Sequence, residues 1–257
     1  MAPSLSASSP AAPDDDHRLA ADLAEDAGRM LLALREELAG AGTAVLRREG
    51  DRRSHELLMA RLAIEAPGDG VLSEEGRDGA ERLSAERVWI IDPLDGTREY
   101  GEPPRRDWAV HVALVADGRP IAGAVALPAQ QITLSTATPA PPRDDPPDQP
   151  RVIVSRSRPP AVALAVADAL GARLVEMGSA GAKVAAVVLG EADVYAHAGG
   201  QYEWDSCAPV AVARSAGLHC SRIDGAPLVY NEPDPWLPDL LVCHPSLTDQ
   251  VLAVTGP

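Results

Sequence analysis

The chain has 257 residues, 46% of them hydrophobic, so one large or two smaller folded units can be built on a proper core, and a disordered or fibrous protein is excluded. A formal charge of −15, from 38 acidic against 23 basic side chains, argues against a nucleic-acid polymer as partner and suits divalent cations or simply a soluble surface. Cys207, Cys220 and Cys243 have no C-x-x-C spacing, which points to a reducing cytoplasm, and no run approaches the roughly 20 apolar residues that cross a membrane.

Residues 1–16, rich in Ala, Ser, Pro and Asp, read as a disordered tail without a signal peptide. Asp15 and Asp16 are positioned to cap a helix whose apolar stripe, Leu19, Leu23, Met30, Leu31, Leu34 and Leu38, ends at Gly40 and Gly42. A second helix is predicted from about Asp51 to Ala66, and then a short strand, Val71 and Leu72, that delivers Ser73, Glu74 and Glu75 to its end. Val88–Ile91 is a buried strand that breaks into Asp92 and Pro93; strands at 109–115 and 121–127 follow, joined by an Asp117-Gly118 turn. Residues 138–150, rich in Pro and Asp, read as a linker between an N-terminal α+β half, 17–137, and a C-terminal α/β half, 151–257. In the second half, strands near 152–155, 174–177 and 193–197 alternate with helices at 160–170, 181–190 and 205–216.

The chemistry concentrates in acidic residues. Asp92-Pro-Leu-Asp95-Gly-Thr97 puts two carboxylates and the Leu94 carbonyl on a tight turn, an oxygen-only set suited to a hard cation; the alternative is an Asx turn whose acids satisfy local amides. Ser73-Glu74-Glu75-Gly76 adds acids at another strand end. Asp205, in Tyr202-Glu203-Trp204-Asp205-Ser206, opens a helix and serves as ligand or as first-turn acid. Like charges brought together from three segments require a compensating cation. Gly178-Ser-Ala-Gly181-Ala-Lys183 is neither a Walker loop nor a nucleophile elbow, but its small residues open a helix whose amides a sugar or phosphate can approach. Lys183 is the only lysine in the chain, and its place in a first helical turn, where a cation opposes the helix dipole, suggests a substrate contact rather than a stabilising one. A D-x-D-G-T phosphatase motif of the haloacid-dehalogenase type resembles Asp92–Thr97 with one residue too few, and is the second choice.

Taken in order, S-E-E-G, W-I-I-D-P-L-D-G-T and W-D-S resemble the inositol monophosphatase superfamily over the stretch from Leu19 to about Val242. Within it, Gly50–Arg53, Asp95–Tyr100, Gly178–Lys183 and His197–Gln201 are similar to actinobacterial CysQ-type enzymes, 3'-phosphoadenosine 5'-phosphate phosphatases of sulfate assimilation. The resemblance implies a layered αβαβα sandwich, usually homodimeric, and lithium-sensitive catalysis with two or three Mg2+ ions. It assigns Glu74, Asp92 and the Leu94 carbonyl to one metal and Asp92, Asp95 and Asp205 to another, with Thr97 and Asp51 activating water. Gly96, Thr97, Arg98, Gly178, Ser179, Lys183, Glu203 and Asp205 are the expected contacts of a small phosphorylated substrate. Asp51 as a helix cap is the structural alternative. Inositol 1-phosphate or fructose 1,6-bisphosphate as main substrate, and a non-catalytic cation-binding module, stay open.

Overall fold

The computed structural model describes residues 12–77, 79–143 and 148–256. The first helix, α1 (Asp14–Glu37), begins inside the segment predicted as tail: Asp14, Asp15 and Asp16 form its acidic first turn, and no side chain caps it. The rest of the tail prediction, residues 1–11, and part of the predicted linker, 144–147, lie outside the described residues. Asp16 has a different task from capping. Together with Asp69 it grips the Arg87 guanidinium, at 2.9 and 3.0 Å, and Asp69 also accepts from the Trp89 indole at 2.9 Å.

The second helix, α2 (Thr43–Glu65), starts two turns earlier than predicted, with Gly50 in its interior. A glycine inside a helix costs stability. Here it is needed for packing, since a Cβ there would lie 2.7 Å from Tyr100 and 2.9 Å from Leu94. Asp51 is therefore a mid-helix residue, and its reading as a cap is wrong. Two five-stranded mixed sheets follow. The first, in spatial order, contains β1 (Gly70–Ser73), β2 (Arg87–Asp95), β3 (Ala109–Ala116), β4 (Arg119–Leu127) and β5 (Ile132–Ser135), with β1 parallel to β2 and the rest antiparallel. Strand β2 does not stop at Asp92. It runs through Pro93, which falls within a register shift between Asp92 and Asp95, where a missing N–H is tolerated. A one-turn helix, α3 (Thr97–Tyr100), leaves its end.

The second sheet is built from β6 (Arg151–Ser155), β7 (Arg173–Met177), β8 (Val194–Tyr202), β9 (His219–Ser221) and β10 (Trp236–Cys243), in the spatial order β7-β6-β8-β10-β9. Its helices are α4 (Ala161–Leu170), α5 (Ala180–Val188), α6 (Glu203–Ser215) and α7 (Thr248–Thr255). Strands β5, β9 and β10 and helix α7 were not anticipated. Strands β5 and β9 are short, and β10 carries Pro238 in a register shift between Leu237 and Asp239, which masks the alternation. No helix among the described residues is long and apolar enough to cross a membrane.

The layers are αβαβα: α1 and α2 cover the outer face of the first sheet, α5 and α6 lie between the sheets, and α4 and α7 cover the second. The two predicted halves thus share one core, in which Val88, Ile90 and Val125 of one sheet and Ile153, Leu240 and Val242 of the other pack on the same helices. Structures of this kind recur among the solved proteins described below. Helix α5, Ala-Gly-Ala-Lys-Val-Ala-Ala-Val-Val, is buried from Gly181 to Val188, as a helix packed on both sides must be. Helix α6 presses on β4 at Gly123, where a Cβ would meet that of Ala211 at 2.8 Å. We predict that Gly123→Val, by forcing α6 away from β4, destabilises the protein by about 1–3 kcal/mol, read as a lower urea midpoint; an unchanged midpoint would disprove this close approach.

Candidate active site

The C-terminal ends of β1 and β2 and the N-termini of α5 and α6 converge, so that acids from both halves of the chain meet. Oxygens of Asp92, Asp95 and Asp205 lie within 4.8 Å of one another. Glu74 is exposed as a residue, with its carboxyl beside that of Asp92. Without a cation this arrangement is electrostatically costly. Burial, then Glu74, Asp95 and Asp205, push Asp92 well above the ordinary carboxylate range. Burial and the neighbouring acids raise Glu74 to about 7, and burial with Asp95 raises Asp205 to about 6. Oxygen donors of this charge fit a hard divalent cation, which would relieve the repulsion.

Asp95 is the exception. Burial favours its neutral form, but His111, then Ser179 and Lys183, outweigh burial and hold it at about 2. Its oxygens accept from Ser179 Oγ at 2.5 Å, Ala180 N at 3.1 Å and Gly181 N at 2.6 Å. The N-terminus of α5, expected to offer amides to a substrate, is therefore occupied by Asp95, while Ala182 N bonds Ser179 Oγ at 2.9 Å. His111 is wholly buried; its Nδ1 lies 3.0 Å from the Trp204 carbonyl and its Nε2 3.2 Å from Asp95. Only glycine fits at 181, because any Cβ would strike the His111 ring. His111 was missed in the sequence, although a histidine inside the apolar run of β3 was a visible signal.

The Asx alternative is true in part: Asp92 Oδ1 accepts from Leu94 N at 3.0 Å. So is the capping role of Asp205, whose Oδ2 accepts from Tyr202 N at 2.6 Å. Neither use exhausts the carboxylate. On the α2 side, Ser54 Oγ donates to the Pro93 carbonyl at 2.6 Å and docks the helix on the end of β2. Thr97 Oγ1 stands 3.1 Å from Asp51 Oδ1 and 3.1 Å from the Leu94 carbonyl. Burial raises Asp51 to about 6, against the Thr97 hydrogen bond and helped by Glu75.

Beside the acids opens a cavity of about 400 Å³ whose walls include Asp95, Gly96, Ser179, Lys183, His197 and Asp205. Lys183 is buried, not on the surface; its ammonium donates to the carbonyls of Ser179 at 2.6 Å and Gly178 at 3.3 Å. Three expected substrate contacts lie elsewhere. The Arg98 side chain is solvent-exposed and paired with Glu102, and the Gly178 amide donates to Asp107 at 2.7 Å. Glu203 is buried beneath the loop after β9, accepting from Asn231 N at 2.7 Å and Glu232 N at 2.8 Å. An acid two residues before a ligand is indistinguishable in sequence from one that clamps a loop.

The raised acids give a pH prediction. Glu74, Asp205 and Asp51 bind protons more tightly folded than unfolded, so metal-free protein loses stability as pH rises from about 4.5 to about 7. Its Tm should fall across that window by at least about 2–4 °C, the effect of about 1 kcal/mol in a chain of this size, and millimolar Mg2+ should remove the fall. A Tm that is flat with pH and indifferent to Mg2+ would contradict a cation site.

The sequence profile of the Inositol monophosphatase family matches residues 19–141 and 146–254. The chain is 48% identical over 251 residues to a 3'-phosphoadenosine 5'-phosphate phosphatase of Mycobacterium leprae (strain TN), covering 93% of each. It is 31% identical over 198 residues to the 3'(2'),5'-bisphosphate nucleotidase CysQ of Escherichia coli (strain K12), covering 73% of this chain and 80% of that one. Among solved structures, CysQ from Bacteroides thetaiotaomicron superposes with a TM-score of 0.76 at 27% identity, over 90% of this chain and 97% of the other. The haloacid-dehalogenase reading of Asp92–Thr97 is thereby overturned. With its layered fold, its ordered motifs and a profile match over most of its length, the chain belongs to the inositol monophosphatase family, metal-dependent hydrolases of phosphoric monoesters.

Proposed function

We propose that this protein is a Mg2+-dependent phosphatase that removes the 3'-phosphate of 3'-phosphoadenosine 5'-phosphate, leaving AMP and inorganic phosphate. The observation that carries the reading is the convergence of Asp92, Asp95 and Asp205 beside a cavity walled by Lys183. The activity named for the Mycobacterium leprae relative supports it. Glu74, Asp92 and the Leu94 carbonyl would hold one ion, and Asp92, Asp95 and Asp205 a second, with room for a third left open. Bound Mg2+ supplies charge neutralisation for the ester and lowers the pKa of water.

The chain's own groups do the rest. Thr97 gives its one hydroxyl proton to Asp51 or to the Leu94 carbonyl, which turns its lone pairs outward to orient the attacking water. Asp51, raised to about 6, is close to the basicity that a proton acceptor needs near neutral pH. A non-catalytic cation-binding module has no use for this pair. Lys183 spends two of its three N–H donors on carbonyls and keeps one for an anionic group of the substrate. Lithium sensitivity, a homodimer and a cytoplasmic compartment belong to the same reading.

Phosphate release from 3'-phosphoadenosine 5'-phosphate, inositol 1-phosphate and fructose 1,6-bisphosphate, compared by kcat/KM, should place the nucleotide first; a sugar ester in first place would refute the substrate assignment. Asp92→Asn should lower kcat by more than about 100-fold, beyond what losing an outer-shell partner costs a metal site, with the fold kept by circular dichroism. Near-normal turnover in that variant, or in EDTA, would remove the metal mechanism. Lys183→Met should raise KM for the nucleotide bisphosphate about 10-fold, the loss of one charge-assisted hydrogen bond, and change a simple monophosphate less. Equal effects on both esters would mean that Lys183 only supports the turn at Gly178.

A further inference from the structure

The chain has four tryptophans, four tyrosines and no phenylalanine. Trp89, Trp108, Tyr100 and Tyr230 are fully buried, whereas Tyr202 and Trp236 are the large aromatics that stay exposed among the described residues, at 45% and 47%. Both line the cavity beside the acids, and their backbones are paired across the β8–β10 ladder, which puts them on one face at its rim. The site is rigid. Trp204 stacks under Tyr202 with centroids 4.6 Å apart and planes 10° from parallel. The Trp236 indole lies against Gly200, where a Cβ would come within 2.6 Å of the ring, and His197 Nε2 bonds the Gly200 carbonyl at 3.0 Å. The next residue, Gln201, also lines the cavity, is only 8% exposed, and its amide nitrogen has no hydrogen-bond partner among the described residues.

We infer that Trp236, Tyr202 and Gln201 form a seat for a purine base, with the ring stacked on the aromatic rim and the Gln201 amide donating to an acceptor atom of the base. This rests on the nucleotide reading above and assigns the part of that substrate which neither the metal site nor Lys183 holds. An exposed indole next to an exposed phenol on a cavity rim offers a flat, apolar face to a ligand. A planar, neutral, polarisable partner fits that face and the donor left unpaired in a buried side chain, which otherwise only destabilises. Every base has a π-face, so the rim supplies affinity and Gln201 supplies direction.

The test compares Trp236→Ala, Trp236→Phe and Gln201→Leu on 3'-phosphoadenosine 5'-phosphate and on fructose 1,6-bisphosphate, which has two phosphates and no base. The expected result is a KM for the nucleotide about 10-fold higher in Trp236→Ala, with kcat within about twofold, and most of the loss restored by Phe. Gln201→Leu should also raise that KM while keeping or raising Tm, since the unpaired donor is gone; a merely structural glutamine would not separate the two. Constants for the base-free ester should not move. Equal losses on both esters, or none on either, would overturn the seat. Failure of the nucleotide reading shows differently, as a wild-type protein that prefers the base-free ester, and the seat would fall with it.

Discussion

The Asp95 carboxylate is the joint on which the site depends. It sits at the end of the first sheet, and everything that holds it belongs to other layers or other strands: the Ser179 hydroxyl, two amides of α5, and His111 on β3. A helix N-terminus with its orphan amides is a natural anion site. Here the protein uses it for one of its own acids. Asp95 is thereby kept ionised, while Glu74, Asp92 and Asp205 crowd around it with raised affinities for protons. A site with one fixed negative charge and three that need relief is poised for cations, and its geometry is set before any cation arrives.

Much of this was legible in the sequence where chemistry and conformation coincide. A buried β-branched strand running into Asp-Pro-Leu-Asp-Gly-Thr has few uses, and Asp92, Asp95 and Asp205 do meet as that pattern implied. The layered fold was readable through the ordered motifs rather than through periodicity, because short strands such as β5 and β9 carry too few residues to show a period. What stayed hidden was the sharing of groups between distant segments. The amides of α5 looked available because nothing local marks Asp95, 85 residues before Ala180, as their partner. Glu203 looked like a substrate contact because its true partners, the amides of Asn231 and Glu232, are far along the chain. Pro93 was read as part of the break that ends the Val88–Ile91 strand, since a residue that usually ends an element also marks a bulge.

The cavity beside the acids has two kinds of surface. One end is carboxylate and amide, hard and charged. The other is aromatic and glycine-rich, with His197 and Gly200 fixing the backbone and Tyr202 and Trp236 left in the open. Lys183 also lines the cavity, the single lysine in a chain with 22 arginines, its compact ammonium held by the Gly178 and Ser179 carbonyls.

The shared middle layer has a consequence for how the molecule comes into being. Helices α5 and α6 belong by sequence to the second half, yet they pack on β3 and β4 of the first, and α6 brings Asp205 to acids that the first half already holds. Neither half can complete the cluster alone. Those acids meet only where the two sheets close on their common helices, so cation binding would report that both halves are folded together. A product cut before Asp205 carries three of the four acids and cannot close the set.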